Sequence, residues 1–267
     1  MSNDSNDNLT PPAARSGALA NPLLRRLEEY TEISSEARAA LAALEAKPAI
    51  RIPARRDLVK QGAAPLNVYS IREGWACRYK TLPDGRRQIV DFLIPGDLCD
   101  LNIYILSRMD HSIGAITALD VVEISREELE SLVDRYPEIT RALWWQELVS
   151  KSCHREWIVN VGVRSAMERL AHLLCEMFLR LESIGATSGE SCDFPLTQGD
   201  LADATGMTAV HVNRTLQKLR EKGLIALSDR KLTIPNMAAL KVVGLFNPDY
   251  LHLERLNRHA PNRSAGG

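Results

Sequence analysis

Residues 196–225, LTQGDLADATGMTAVHVNRTLQKLREKGLI, constrain the fold more tightly than any other stretch of the chain. Thr197 stands three residues before Asp200, the spacing of a helix cap, and Thr208 opens a second helix that runs to about Lys222. Gly206 falls where the first helix must turn. Leu201, Ala202, Met207, Val212 and Leu216 have the small and apolar character needed where two short helices cross. This is the pattern of a helix-turn-helix, whose second helix enters a DNA major groove with its N-terminal residues toward the bases. The runs from Ile225 to Ile234 around Ser228-Asp229-Arg230 read as a wing hairpin. Between Gly206 and Asn236 six basic residues outnumber Glu221 and Asp229, a local surplus suited to phosphate although the whole chain carries a formal charge of only −1.

The 267 residues leave room for more than this unit, and 45% apolar with 25% charged residues is the make-up of a soluble globular chain. Disordered, collagen-like and disulfide-dense classes are excluded. No run approaches about 18 apolar residues, and the polar, Pro-punctuated start lacks a signal-peptide core, so no membrane partner and a cytoplasmic location are expected. The five cysteines are an odd number, lie far apart and form no C-x-x-C pair. That argues against a disulfide framework and a zinc ribbon.

Upstream of the motif the texture changes several times. Residues 1–22 read as a disordered leader, and Leu23 to Glu45 as one or two short helices closed by Pro48 and Pro53. From Ile50 to Ile124, short apolar runs separated by turns such as Pro83-Asp84-Gly85 and Pro95-Gly96-Asp97 predict a small antiparallel roll or barrel. Ser125-Arg-Glu-Glu128 is a capping box. A long helix follows Pro137 to about Val161, apolar on more than one face, so it needs two partners: the roll and a second copy of itself. Adjacent Trp144 and Trp145 then split, one toward the roll and one toward the dimer seam. Ser165-Ala-Met-Glu168 opens an amphipathic helix through Leu181, in which His172 is expected at the surface and Cys175 packed. Gly185 to Gly189 reads as a loop, and the tail beyond Pro248 as frayed.

With the segment GWACRYKTLPDGRRQIVDFLIPGDL (Gly74 to Leu98), the long helix and the helix-turn-helix, the chain resembles the Crp/Fnr superfamily of bacterial transcription regulators over roughly Asn21 to Ala238. The resemblance implies an α+β fold. A jelly-roll-like antiparallel β-roll would occupy residues 23–136, a dimerisation helix 137–162, a winged helix-turn-helix 163–238 and a tail 239–267. It also implies a homodimer on a pseudo-palindromic operator in double-stranded DNA, in contact with RNA polymerase. Carried over by position, the base-reading face is Ala209, Val210, Asn213 and Arg214, with Gln217 at its edge. Arg214 matches the family's base-contacting arginine and suits bidentate contact to guanine O6 and N7. Val210 stands where the family usually has glutamate, so the usual half-site is not expected. Thr208 and His211 complete the interface, and Lys218 is a phosphate contact.

In nucleotide-binding members a glutamate holds the ribose and an Arg-Ser pair the cyclic phosphate. Here the glutamate position falls on Leu101, its preceding glycine on Asp100, and the pair on His111-Ser112, so only the serine survives. Each lost charge-assisted contact costs about 1.5–3 kcal/mol, and no cyclic-AMP response is expected. No cofactor or metal is expected either. The first cysteine, Cys77, comes too late for an N-terminal iron–sulfur cluster, haem ligation by His111, Cys99 or His172 with Cys175 is weaker than plain packing, and a cupin enzyme lacks clustered histidines. The leading expectation is a regulator, not an enzyme. Ligand-independent binding competes with a small-molecule signal or a redox signal through Cys153 or Cys192, and an interaction module without DNA binding is disfavoured by the helix-turn-helix.

Overall fold

The roll owes its shape to turns that only a few residue types can make. The computed structural model describes residues 21–64, 66–101 and 107–253. Of the expected leader 1–22, only Asn21 and Pro22 fall among the described residues. Asn21 caps α1 (Pro22–Glu28), its side chain accepting from the Leu24 amide at 2.9 Å. After α2 (Ser35–Glu45) come eight strands: β1 (Ile50–Ile52), β2 (Asp57–Val59), β3 (Val68–Glu73), β4 (Ala76–Thr81), β5 (Arg87–Leu93), β6 (Leu98–Cys99), β7 (Ser112–Ala115) and β8 (Leu119–Ile124). They form two antiparallel four-stranded sheets, ordered β1-β8-β3-β6 and β2-β7-β4-β5. Ile71, Leu93, Ile113, Leu119 and Val121 fill the space between them. Gly96 turns at φ +91° beneath α1, where a Cβ would lie 2.5 Å from the Pro22 carbonyl oxygen; this glycine lets the helix seat on the roll.

Helix α3 (Arg126–Arg135) starts on the capping box read from the sequence, with Ser125 and Glu128 each bonding the other's backbone. The long α4 (Pro137–Gly162) buries Ile139, Leu143, Cys153 and Trp157. A second capping box, Ser165 with Glu168, opens α5 (Ala166–Ser183). Then follow β9 (Thr187–Ser188), β10 (Ser191–Asp193), α6 (Gln198–Thr205), α7 (Ala209–Glu221), β11 (Ala226–Ser228), β12 (Lys231–Thr233) and α8 (Met237–Val243). The roll and this second half share one core. Trp75 meets Phe194 edge to face at 5.9 Å between centroids, and Phe92 meets Trp157 at 5.8 Å.

Four expectations change. The segment read as a loop at 185–189 contributes β9, and with β10 it extends the wing hairpin to a sheet ordered β11-β12-β10-β9. Cys192 pairs opposite Leu232, so strands too short to show in the sequence form because β12 offers them a ladder. The boundary at 238/239 falls inside α8, whose Leu240 is buried among the α5 core residues. Residues 248–253, expected to fray, are instead packed: a 3₁₀ turn (Pro248–Leu251) buries Leu251, and Tyr250 donates to Glu176 at 2.8 Å. Residues 254–267 lie outside the described residues. This strap covers His172, which is 1% exposed rather than on the surface, with its ring 4.8 Å from Phe246 and 5.8 Å from Tyr250. Trp144 is 68% exposed, and Trp145 is half-buried with its ring 6.0 Å from His252 of the strap.

Candidate nucleic-acid interface and effector pocket

Helices α6 and α7 meet across Gly206, which adopts φ +66° and closes α6 in the left-handed conformation that a Cβ resists. Thr197 and Asp200 form the capping box of α6, the Asp200 amide donating to Thr197 Oγ1 at 3.2 Å and the Thr197 amide to Asp200 Oδ2 at 2.9 Å. Thr208 caps α7 by accepting from the His211 amide at 3.2 Å. Val212, Thr215, Leu216 and Leu219 turn into the core. The opposite side of α7 therefore stands in solvent: Ala209, Val210, His211, Arg214, Gln217 and Lys218 are exposed, and Asn213 is half-buried. Val210, Arg214 and Gln217 follow one another at helical spacing on that side, and Val210 is 70% exposed, an apolar tip with no core to bury it. At the wing, Asp229 and Arg230 form the β11–β12 turn with φ of +50° and +59°.

The roll grips this unit through contacts that sequence spacing does not announce. Arg55 lies 145 residues from Asp200 and donates both arms of its guanidinium to that carboxylate, at 2.6 and 2.9 Å. Arg87 Nε pairs with Asp203 at 3.2 Å, and Gln88 donates to the Ala204 carbonyl at 3.2 Å. Arg169 of α5 donates to the Thr205 carbonyl at 2.6 Å. The first helix of the motif is thus held at its capped start by the roll and at its end by both neighbours.

In the roll, a cavity of about 340 Å³ is lined in part by Val59, Tyr69, Cys99, Asp100, Met109 and Ile113. Of the four residues expected at an effector site, Asp100 lines it. Its carboxylate accepts from Arg78 Nε at 3.1 Å and meets His111 Nε2 at 3.0 Å, while His111 Nδ1 lies 2.7 Å from Asp110. Burial works against ionising Asp100, but the Arg78 and His111 charges outweigh it and hold its carboxyl down to about 2. Burial also opposes a charged His111, yet its two carboxylate partners raise it above the ordinary histidine value. Leu101 is buried in an apolar cluster with Leu98 and Met109. Ser112 Oγ accepts from the Gln61 amide at 2.9 Å.

Arg78 was not visible as a site residue from spacing, yet it begins a buried chain of charge. Its Nη1 lies 2.6 Å from Asp91, whose other oxygen is 3.3 Å from Arg180 Nη1 of α5. Arg180 Nη2 continues to Asp97 at 3.1 Å, and Asp97 to Arg26 of α1 at 3.1 Å. His111 and α5 are linked without a break. All five cysteines are buried and unbridged, and burial pushes the thiols of Cys77, Cys175 and Cys192 up to about 12. Among the described residues no group of three or more His, Cys, Asp or Glu side chains is placed to hold a metal, and no helix is long and apolar enough to cross a membrane.

Comparison with known proteins gives the same two halves. A cyclic nucleotide-binding domain model matches residues 49–136, and a Crp-like helix-turn-helix domain model matches residues 168–243. The nitrogen fixation regulation protein FixK of Bradyrhizobium diazoefficiens is 34% identical over 176 residues, covering 66% of this chain and 73% of the relative. The transcriptional activator protein FnrL of Cereibacter sphaeroides is 29% identical over 170 residues, 62% and 68% of the two chains. The structure of FixK2 from Bradyrhizobium japonicum superposes with a TM-score of 0.65 at 25% identity, covering 73% of this chain and 96% of that one. A CooA mutant from Carboxydothermus hydrogenoformans shares the fold at a TM-score of 0.62 and 16% identity, over 83% and 95%. The first two relatives are named for regulation, one as a regulation protein and one as a transcriptional activator. The β-roll, the long helix and the winged helix-turn-helix, with the relatives that share them, establish that this chain is a DNA-binding transcription regulator of the Crp/Fnr superfamily.

Proposed function

We propose that the chain acts in the cytoplasm as a homodimer that reads a pseudo-palindromic operator and contacts RNA polymerase, with an effector pocket unsuited to cyclic AMP. The units are an effector roll over 23–136, a dimerisation helix over 137–162, and a DNA-binding unit from 163 through the end of α8. The observation that carries the reading is the solvent-facing side of α7, where Arg214 stands exposed opposite the buried Val212, Leu216 and Leu219. Arg214 contacts guanine, with Ala209, Val210, Asn213 and Gln217 around it, Thr208 and His211 at the helix start, and Lys218 on phosphate. Trp144, Leu148 and Ile158 leave an apolar side of α4 in solvent, which a second copy covers. Leu101 is turned into an apolar cluster and offers no side-chain acceptor, and at the cavity the ionised Asp100 opposes a cyclic phosphate, its neighbouring cations being already engaged.

Selection of bound duplexes from a random pool, with no added ligand, tests this. The expected result is an enriched inverted repeat with half-sites about one helical turn apart, unchanged by cyclic AMP. Arg214→Ala abolishes selectivity, whereas Lys218→Ala weakens binding to all sequences and flattens the salt dependence. Equal loss of selectivity in both variants overturns the assignment. The roll cavity supports a second reading, a small-molecule signal other than a cyclic nucleotide, and enrichment that requires a cell extract's small-molecule fraction would favour it. A thiol signal has less support, because burial holds the cysteines in the unreactive protonated form.

A further inference from the structure

The exposed side of α4 carries a second pattern within the first. Arg141, Trp144, Leu148, Lys151, Arg155, Ile158 and Gly162 are all exposed, and they fall alternately three and four residues apart. That is the seam of a two-stranded coiled coil. In a dimer of the kind proposed above, on which this inference rests, α5 to α7 follow the C-terminus of α4. Both recognition helices reach one face of DNA only if the two α4 helices run parallel, and each seam residue then meets its own copy. Trp144, Leu148 and Ile158 make apolar layers. Between them lie two successive cationic layers, Lys151 and Arg155, one helical turn apart.

The pair thus becomes four positive charges on the dimer axis, closed off above by Leu148 and below by Ile158. Acidic groups compensate only in part. Glu147, half-buried and one turn before Lys151, supplies one negative charge per copy. Glu156 beside Arg155 is committed away from the seam, to Arg164 and to His172 at 3.3 Å. Arg155 itself donates to Ser152 Oγ at 2.8 Å, a neutral partner. Four cations less two Glu147 carboxylates leave a surplus of two, the charge of one dianion. Like charges stacked in a seam weaken it, and an oxyanion bridging them reverses that.

We propose that Lys151 and Arg155 of the two copies form an anion site on the dimer axis, taking a small divalent oxyanion of the phosphate class, and that its occupancy strengthens dimerisation. The test is sedimentation of the full chain over a range of concentrations, in chloride and in inorganic phosphate at matched ionic strength. The dimer Kd is expected to fall about tenfold or more in phosphate, the effect of one charge-assisted contact. The double variant Lys151→Gln/Arg155→Gln dimerises in chloride as tightly as the parent does in phosphate and ignores phosphate. A control variant outside the seam, Arg56→Gln/Arg86→Gln on the exposed surface of the roll, keeps the response. Dimers whose Kd is the same in both salts overturn the anion site and leave the dimer standing, as does a phosphate effect that survives in the seam variant. A chain that stays monomeric in both salts, in parent and variant alike, overturns the dimer and the site together.

Discussion

Asp91→Ala strikes the buried chain of charge at its centre. Asp91 is 5% exposed, and its two oxygens bridge Arg78 at 2.6 Å and Arg180 at 3.3 Å, both guanidiniums being buried as well. Removing one side of a buried ion pair costs about 3–5 kcal/mol, because the remaining charge recovers neither water nor partner. Here neither cation is stranded. Arg78 keeps Asp100 at 3.1 Å and the Leu98 carbonyl at 3.3 Å, and Arg180 keeps Asp97 at 3.1 Å and the Phe92 carbonyl at 2.8 Å. The expected loss therefore sits at the low end, about 3 kcal/mol, or a fall in Tm of about 6–12 °C for a chain of this size. Urea unfolding followed by circular dichroism measures it, with parent and variant at equal protein concentration so that any dimerisation cancels. Asp91→Asn, which keeps an acceptor, loses less. A loss below about 1 kcal/mol in Asp91→Ala, the worth of an exposed pair, would refute the reasoning by showing the network to be solvated.

Three further outcomes are expected. The raised His111 contributes stability that is complete below its unfolded value of about 6.5 and is lost as pH rises through the folded one, so the urea midpoint of the parent falls relative to His111→Gln between about pH 6 and 8. An unchanged difference across that range would contradict the Asp100–His111–Asp110 arrangement. Gly206→Ala costs about 1–2 kcal/mol through φ +66° alone, since a Cβ there meets only ordinary contact with Val161 at 3.6 Å, and Gly206→Asn costs less; both are read by thermal unfolding. Arg55→Ala frees the capped start of α6 from the roll; with Arg55 half exposed the cost is about 1 kcal/mol, and hydrogen exchange quickens in α6 while β4 and β5 stay protected.

Local chemistry was legible without the structure. The two Ser–Glu capping boxes, the Thr197–Asp200 cap, Gly206 and the Thr208 cap each depend on residues within four positions of one another, and the helices begin and end where those residues place them. The same locality made the solvent-facing side of α7 readable from its period. What the sequence hid depends on distance along the chain. Arg55 and Asp200 stand 145 residues apart, and Arg180 and Asp91 are 89 apart; neither pair leaves a periodic trace, because an isolated charge in sequence looks the same whether it ends in water or in a buried pair. His172 carried a polar label on an amphipathic helix, and only the strap from Phe246 to Leu251, folding back over α5, buried it. Asp100 and His111 were in view as missing nucleotide ligands, but Arg78, on a strand more than twenty residues earlier, turned them into one end of a charge chain. Sequence by itself determined the main helices, their caps and the exposed reading helix, since those arise from neighbours in the chain, but not β9, β10, α8 or the closing 3₁₀ turn, which form against distant partners. Tertiary structure decided which charges are buried, which pairs hold the roll to the DNA-binding half, and which side of α4 stays open, since those depend on what packing brings together.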